Sequence, residues 1–319
     1  MADPKGLRPQ ARQLRAYAKV NLFLRVLGKR PDGFHDIRTL FQTVSLSDGL
    51  SVRLSPAGRR TVTFTCSRDD LQGEHNLAWR AADLMLKRTG TVAQLEVALE
   101  KAIPSGAGLG GGSSDAAAVI RAVASMLPAR PAAQLLFDVA AELGSDVPFF
   151  LVGGSAIGRG RGTELEPLAD LPPAALVIAR PALEVSTAWA YSALSEDRAT
   201  LTHDADWGKI ERLDLDSNAP PVGSLPGGRE GMVNDFESIV FRRHPLIAAL
   251  KSRLQALGAQ SALMSGSGSA VFGVFESYQS ARLVADTLRA EGLAAWPAEY
   301  VGRSASGMSS VAVGNPAAG

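Results

Sequence analysis

Residues 104 to 115 read Pro-Ser-Gly-Ala-Gly-Leu-Gly-Gly-Gly-Ser-Ser-Asp, and Ala116, Ala117 and Ala118 open a helical stretch directly behind them. Five of these twelve residues are glycine. Each ordered glycine gives up more backbone freedom than alanine would, at about 0.5–1 kcal/mol apiece, so a loop this expensive is shaped around a ligand. Residues 95–99 form a strand leading straight into it, and residues 115–127 an Ala-rich helix leading out. Main-chain N–H groups gathered at a helix N-terminus face the positive end of the dipole. Their natural partner is an anion, and a polyphosphate fits best.

Three familiar phosphate loops do not match. Gly106, Gly108 and Gly111 satisfy the dinucleotide spacing, but no acid lies between Asp115 and Asp138, and a series of strands precedes the loop. A Walker loop ends in Gly-Lys-Ser/Thr, and this one ends Gly-Ser-Ser. The protein-kinase signatures His-Arg-Asp and Asp-Phe-Gly do not occur.

Composition narrows the partners. A net charge of +1 argues against a nucleic-acid binder. Cys66 is the single cysteine, which excludes an intrachain disulfide and a cysteine-rich zinc site and fits a reducing, cytoplasmic setting. The four histidines (His35, His75, His203, His244) have no ligand spacing, so no protein-held metal is expected. No apolar run reaches spanning length, so a soluble protein without membrane contact is expected. Lys5, Arg8, Arg12 and Arg15 lack an apolar segment behind them and read as a disordered lead-in rather than a secretory signal.

With 319 residues the chain suits one large or two ordinary domains. Strands are expected over residues 14–27, 34–47, 50–54, 61–66 and 95–99, with helices over 76–88 and 133–143, the latter closed by Gly144. Residues 149–152 read as a short apolar strand. Leu171-Pro172-Pro173 marks a break, giving domains of 1–170 and 171–319. Beyond it come a strand at 175–178, a polar loop at 196–230 and helix over 235–257 interrupted at Pro245. A second glycine cluster follows at 265–269, then a strand at 270–275, a helix at 278–291 and a short apolar stretch at 311–313.

The segment Pro-x-Gly-Ala-Gly-Leu-Gly-Gly-Gly-Ser-Ser-Asp-Ala-Ala resembles the phosphate loop of the GHMP kinases, the family of galactokinase, homoserine kinase and mevalonate kinase. Ala18-Lys19-Val20-Asn21-Leu22, Arg30-Pro31-Asp32-Gly33-Phe34-His35 and Gly144-Ser145-Asp146-Val147-Pro148-Phe149-Phe150 follow in family order. They are similar to the branch whose alcohol substrate carries a cytidine diphosphate. The resemblance implies an α+β fold of two domains, the first of ribosomal-protein-type β-α form and the second ferredoxin-like. It implies ATP-dependent phosphorylation of the 2-hydroxyl of a cytidine diphosphate-linked methylerythritol, in non-mevalonate isoprenoid biosynthesis, by a monomer or homodimer.

Site residues follow from the same resemblance. Read alone, Lys19 is a surface lysine on an edge strand and Asp146 a turn aspartate. The family makes them a catalytic pair. Pro104, Ser105, Gly106, Ala107, Gly108, Leu109, Gly110, Gly111, Gly112, Ser113 and Ser114 would hold the ATP phosphates, with Asn76 near the adenine. Mg2+ would accompany ATP, with Ser114 as a ligand or a neighbour of a ligand. Asn21, Phe34, His35, Ser267 and Gly268 would meet the alcohol substrate. Phe34 would stack on cytosine, with Tyr191 on the opposite face and Trp189 as the rival. Asn234 would cap the helix behind it. Two other readings stay open: a GHMP kinase acting on mevalonate derivatives or a sugar, and a non-catalytic nucleotide-binding regulator.

Overall fold

The alternation of residues 14–27 belongs to a longer strand, β1 (Gln10–Lys29), in the computed structural model, which describes residues 6–201 and 232–306. Arg12 and Arg15 therefore lie in this strand and not in a disordered lead-in, because their neighbours pair with residues 50–54 of β2. That strand, β2 (His35–Pro56), runs unbroken where two separate stretches are expected from the sequence. Pairing explains the difference, since β2 is bonded to β1 along one side and to β4 and β5 along the other.

The first sheet has the order β3-β4-β2-β5-β6, with β1 also on β2. Its remaining strands are β3 (Thr61–Cys66), β4 (Ala93–Glu100), β5 (Ser155–Arg159) and β6 (Glu164–Pro167). Helices α1 (Leu77–Arg88), α2 (Gly111–Met126) and α3 (Ala133–Leu143) cover one face through a core that includes Met85, Leu95, Val119 and Val139. Gly144 ends α3 in an extended conformation (φ 167°), not in a left-handed cap. Residues 149–152 are a helical turn, α4 (Phe149–Val152), and not a strand. Pro148 is already helical there at φ −56°, so the turn that carries Asp146 continues into it.

The second sheet is antiparallel with the order β10-β7-β9-β8, where β7 is Ala175–Arg180, β8 Ser261–Met264, β9 Val271–Phe275 and β10 Ala294–Glu299. Its helices are α5 (Thr187–Leu201), α6 (Phe236–Arg243), α7 (Pro245–Ala256) and α8 (Tyr278–Ala290). Strand order and connectivity are those of a ferredoxin-like unit. Strand β10 has no counterpart among the expected elements. Helix α5 takes in residues 196–201 of the expected loop, and the rest of that loop and residues 311–313 lie outside the described residues. Strand β7 is buried on both faces. Leu176 and Ile178 pack with Ala18, Val20 and Leu22 of β1, while Val177 and Ala179 face the helices. The even-numbered face of β1 is thereby occupied by the second sheet, which leaves Lys19 and Asn21 on the side of the glycine loop.

Candidate active site

Strand β4 delivers the chain to Pro104 and α2 carries it away from Gly111, four residues earlier than the expected helix start. Between them five of the loop's carbonyls are engaged. Arg180 Nη1 donates to Ser105 O at 2.9 Å, Ala270 N to Ala107 O at 3.1 Å and Ser265 Oγ to Gly108 O at 2.9 Å. Lys19 N donates to Leu109 O at 3.0 Å, and Ser114 N to Gly110 O at 2.9 Å. Among the described residues none of the amides of residues 105–110 has a protein acceptor. Unmatched donors on one side of a loop at a helix N-terminus form an anion nest. Gly108 has φ +76°, and a Cβ there would collide with the carbonyl oxygen of Ser265, so the close approach requires glycine.

Lys19 and Asp146 come together. Nζ of the buried lysine lies 3.6 Å from Oδ2 of the half-exposed aspartate. Lys19 also donates to Asn21 Oδ1 at 2.7 Å, and Asn21 Nδ2 donates to Thr39 Oγ1 at 2.8 Å, so a hydrogen-bonded chain along β1 and β2 aims the ammonium. Burial lowers the lysine pKa below its ordinary range, and the Asp146 carboxylate works in the opposite direction. A Cβ on Gly110 would lie 3.2 Å from Lys19 Cγ, and one on Gly266 would lie 3.5 Å from Nζ. The lysine is thus held between the two glycine turns.

Asp146 and Ser113 line a cavity of about 790 Å3 together with Phe34, His35 and Tyr191. The His35 ring stacks on Tyr191 with centroids 4.8 Å apart, and its Nε2 is 2.8 Å from Ser195 Oγ. Burial, reinforced by the Asp146 charge, pushes the Tyr191 phenol up to about 12. Phe34 is 46% exposed, and the Arg161 guanidinium sits 3.3 Å above its ring. Trp189 turns away, edge-on to His244 at 5.7 Å, and lines a separate hollow with Arg242. Of the two rival aromatics, Tyr191 is the one in the cavity.

Other expected residues stand further back. Asn76 caps α1, accepting from Ala78 N at 2.9 Å and donating to Leu71 O at 2.9 Å. Ser267 is buried and bonded to Thr187 Oγ1 at 2.8 Å, and it is Thr187 that lines the cavity. Gly268 packs toward Met264 and Val185. Ser114 is buried, with a hydroxyl that has no partner among the described residues. Asn234 caps α6 through Phe236 N at 3.0 Å, and it also donates to Met264 O at 2.7 Å and Gly266 O at 2.8 Å. Sequence reasoning passed over Arg161, Thr187 and Ser195. For Arg161 a signal existed: it stands between Gly160 (φ +61°) and Gly162 (φ +89°), a tight turn that presents its side chain.

An anion nest at a helix start, a buried lysine paired with a carboxylate and a ferredoxin-like second unit define a small-molecule kinase fold, and the chain belongs to the GHMP kinase family. The family's N terminal domain matches residues 76–154 and its C terminal domain residues 214–294. The chain is 47% identical over 263 residues to 4-diphosphocytidyl-2-C-methyl-D-erythritol kinase of Solibacter usitatus, covering 82% of this chain and 80% of that one. It is 41% identical over 276 residues to the enzyme of the same name from Geobacter metallireducens, covering 86% of this chain and 93% of that one. A crystal structure of 4-(cytidine 5'-diphospho)-2C-methyl-D-erythritol kinase superimposes with a TM-score of 0.75 at 39% identity, over 91% of this chain and all (100%) of the other. Mevalonate kinase of L. major shares the fold at a TM-score of 0.66 and 16% identity, over 94% of this chain and 98% of that one.

Proposed function

We propose that the chain transfers the γ-phosphoryl group of ATP to the 2-hydroxyl of 4-diphosphocytidyl-2-C-methyl-D-erythritol, a step of non-mevalonate isoprenoid biosynthesis. The observation that carries the reading is the Lys19–Asp146 pair, 3.6 Å apart, on strand and turn directly beside the glycine loop. Phosphoryl transfer has a loose transition state, so catalysis rests on placing the reactants in line and on meeting the charge that develops. The free amides of residues 105–110 hold the phosphates, with Ser113 at the mouth of the cavity. Asp146 orients the attacking hydroxyl and accepts its proton. Lys19 meets the negative charge on the transferred group.

The base end of the cavity supports the cytidine. Phe34 offers an exposed ring face, and His35, held against Tyr191, offers a ring nitrogen to the polar edge of cytosine. Arg161 over Phe34 supplies a positive charge suited to the diphosphate or the base. Ser267 acts through Thr187, and Asn21 acts by aiming Lys19. Asn76 sets the start of α1, beside which the adenine lies.

The orphaned, buried hydroxyl of Ser114 fits a group that contacts Mg2+ carried by ATP. The ion would neutralise charge between the β- and γ-phosphates. Among the described residues no cluster of three or more His, Cys, Asp or Glu side chains that could hold a metal ion occurs. A domain division at 170/171 is supported by the end of the first sheet at Pro167 and the start of the second at Ala175. The lone cysteine, buried, suits an enzyme of the cytoplasm, and no described helix is long and apolar enough to cross a membrane.

Asp146→Asn tests the reading. ADP affinity is expected to stay within about twofold, while kcat with the cytidylated alcohol falls by about 100-fold or more. Near-native turnover in this variant would remove the assigned role. Turnover with mevalonate or the uncytidylated polyol at rates matching the cytidylated alcohol would shift the substrate to another branch of the family.

A further inference from the structure

Two buried carboxylates share one buried ammonium at the neck of the glycine loop, and the proposed chemistry uses none of the three. Lys101 Nζ lies 2.5 Å from Asp48 Oδ2 and 2.8 Å from Asp115 Oδ2. Asp48 belongs to β2, Lys101 follows β4 and Asp115 lies in the first turns of α2. The other oxygen of Asp48 accepts Ala102 N at 2.6 Å and Ile103 N at 2.8 Å. We propose that Asp48, Lys101 and Asp115 are positioning residues, a brace that closes the neck of the loop and sets residues 104–110 in their nucleotide-binding shape. The proposal rests on the reading that this loop takes the phosphates of ATP.

Energetics point the same way. An ionic cluster buried this deeply contributes poorly to stability, and apolar groups of equal volume often do better. What an ion network adds is a fixed geometry. Here the geometry concerns both ends of one loop. Asp48 grips the incoming chain by two amides, and through Lys101 it holds the outgoing helix. The two ends also touch, since a Cβ on Gly111 would lie 2.9 Å from Ile103 Cγ2 and 3.3 Å from Lys101 Nζ. Residues 104–110 project from this closed neck, and the six amides of residues 105–110 have no acceptor among the described residues. A misplacement of about 1 Å in such a site can reduce a rate about 100-fold. Asp115 is the less supported carboxylate, since its Oδ1 is buried without a partner among the described residues.

Lys101→Met is the decisive variant, read by ADP titration, by binding of the cytidylated alcohol without nucleotide, and by steady-state kinetics. The brace predicts an ADP affinity weakened about tenfold or more and a raised KM for ATP, with alcohol binding unchanged within about twofold. A merely structural role would lower the melting temperature and leave the folded fraction's ADP affinity intact, and that result would overturn the proposal. If Lys101→Met does not fold, Asp115→Asn decides, because it keeps the shape and leaves no unpaired buried charge. It should weaken ADP binding about threefold without touching alcohol binding, and wild-type ADP affinity in this variant would equally overturn the brace. Failure of the wild-type protein to bind ADP at all would instead defeat the functional reading itself.

Discussion

The two glycine-rich turns, residues 104–112 and 265–269, meet at Lys19 and look alike in composition, yet they differ in how many of their polar groups the protein itself engages. In the first, carbonyls are engaged and amides are left over. In the second, the three serine hydroxyls and part of the backbone are matched within the protein. Ser265 N donates to Ala270 O and Gly268 N to Ser265 O, while Asn234 takes the carbonyls of Met264 and Gly266. The hydroxyls of Ser265, Ser267 and Ser269 reach Gly108 O, Thr187 Oγ1 and Leu183 O respectively. On the reading proposed above, the first turn is a receptor and the second a buttress pressed against its back. Glycine content does not separate the two roles, but an account of where each donor and acceptor goes does.

The largest expected effect comes from forcing the turns apart. Gly108→Ala places a methyl group into the Ser265 carbonyl at a positive φ, and should destabilise the protein by about 3 kcal/mol in urea unfolding and abolish ADP binding. Asn234→Ala strikes the buttress alone. Two buried carbonyls and a helix cap lose their partner, for a loss of about 2–4 kcal/mol, while ADP affinity stays within about threefold. A tenfold drop in ADP affinity with unchanged stability would erase the distinction between the turns.

A pH series sharpens the receptor side. Burial, opposed by the Lys101 charge and reinforced by Asp48, raises the Asp115 carboxyl to about 7. Its ionised form is thus disfavoured in the fold, so its contribution is full below the unfolded value of 3.8 and is lost as pH rises through about 7. The melting temperature of the wild-type protein minus that of Asp115→Asn should therefore shrink from pH 4 to pH 8, and a constant difference would refute the assignment. The smallest effect is expected for Ser267→Ala, about 1 kcal/mol of stability and a two- to threefold rise in KM for the alcohol, through a freed Thr187.

Much of this was legible in the sequence because the signals are local. The period-two pattern of β1, the glycine loop and the Asn234 cap each depend on residues within a few positions. Family resemblance then joined Lys19 to Asp146, which no local rule could. What stayed hidden was set by partners distant in the chain. Residues 149–152 are apolar on all sides because both sheet and helices enclose them, so periodicity could not separate helix from strand. Arg161 reaches Phe34 across the cavity, and Asp48 meets Lys101 and Asp115 through a neck that forms with the sheet. Strand β10 carries Pro297 and weak alternation, and it is held by pairing with β7 at the sheet edge.

On the reading proposed above, the sealed position of Lys19 would make nucleotide arrival a proton-linked event. An amine whose empty-site basicity is depressed regains it when a triphosphate settles beside it, so in alkaline solution association draws hydrogen ions from the medium, and grip on ATP slackens as the solution becomes more basic.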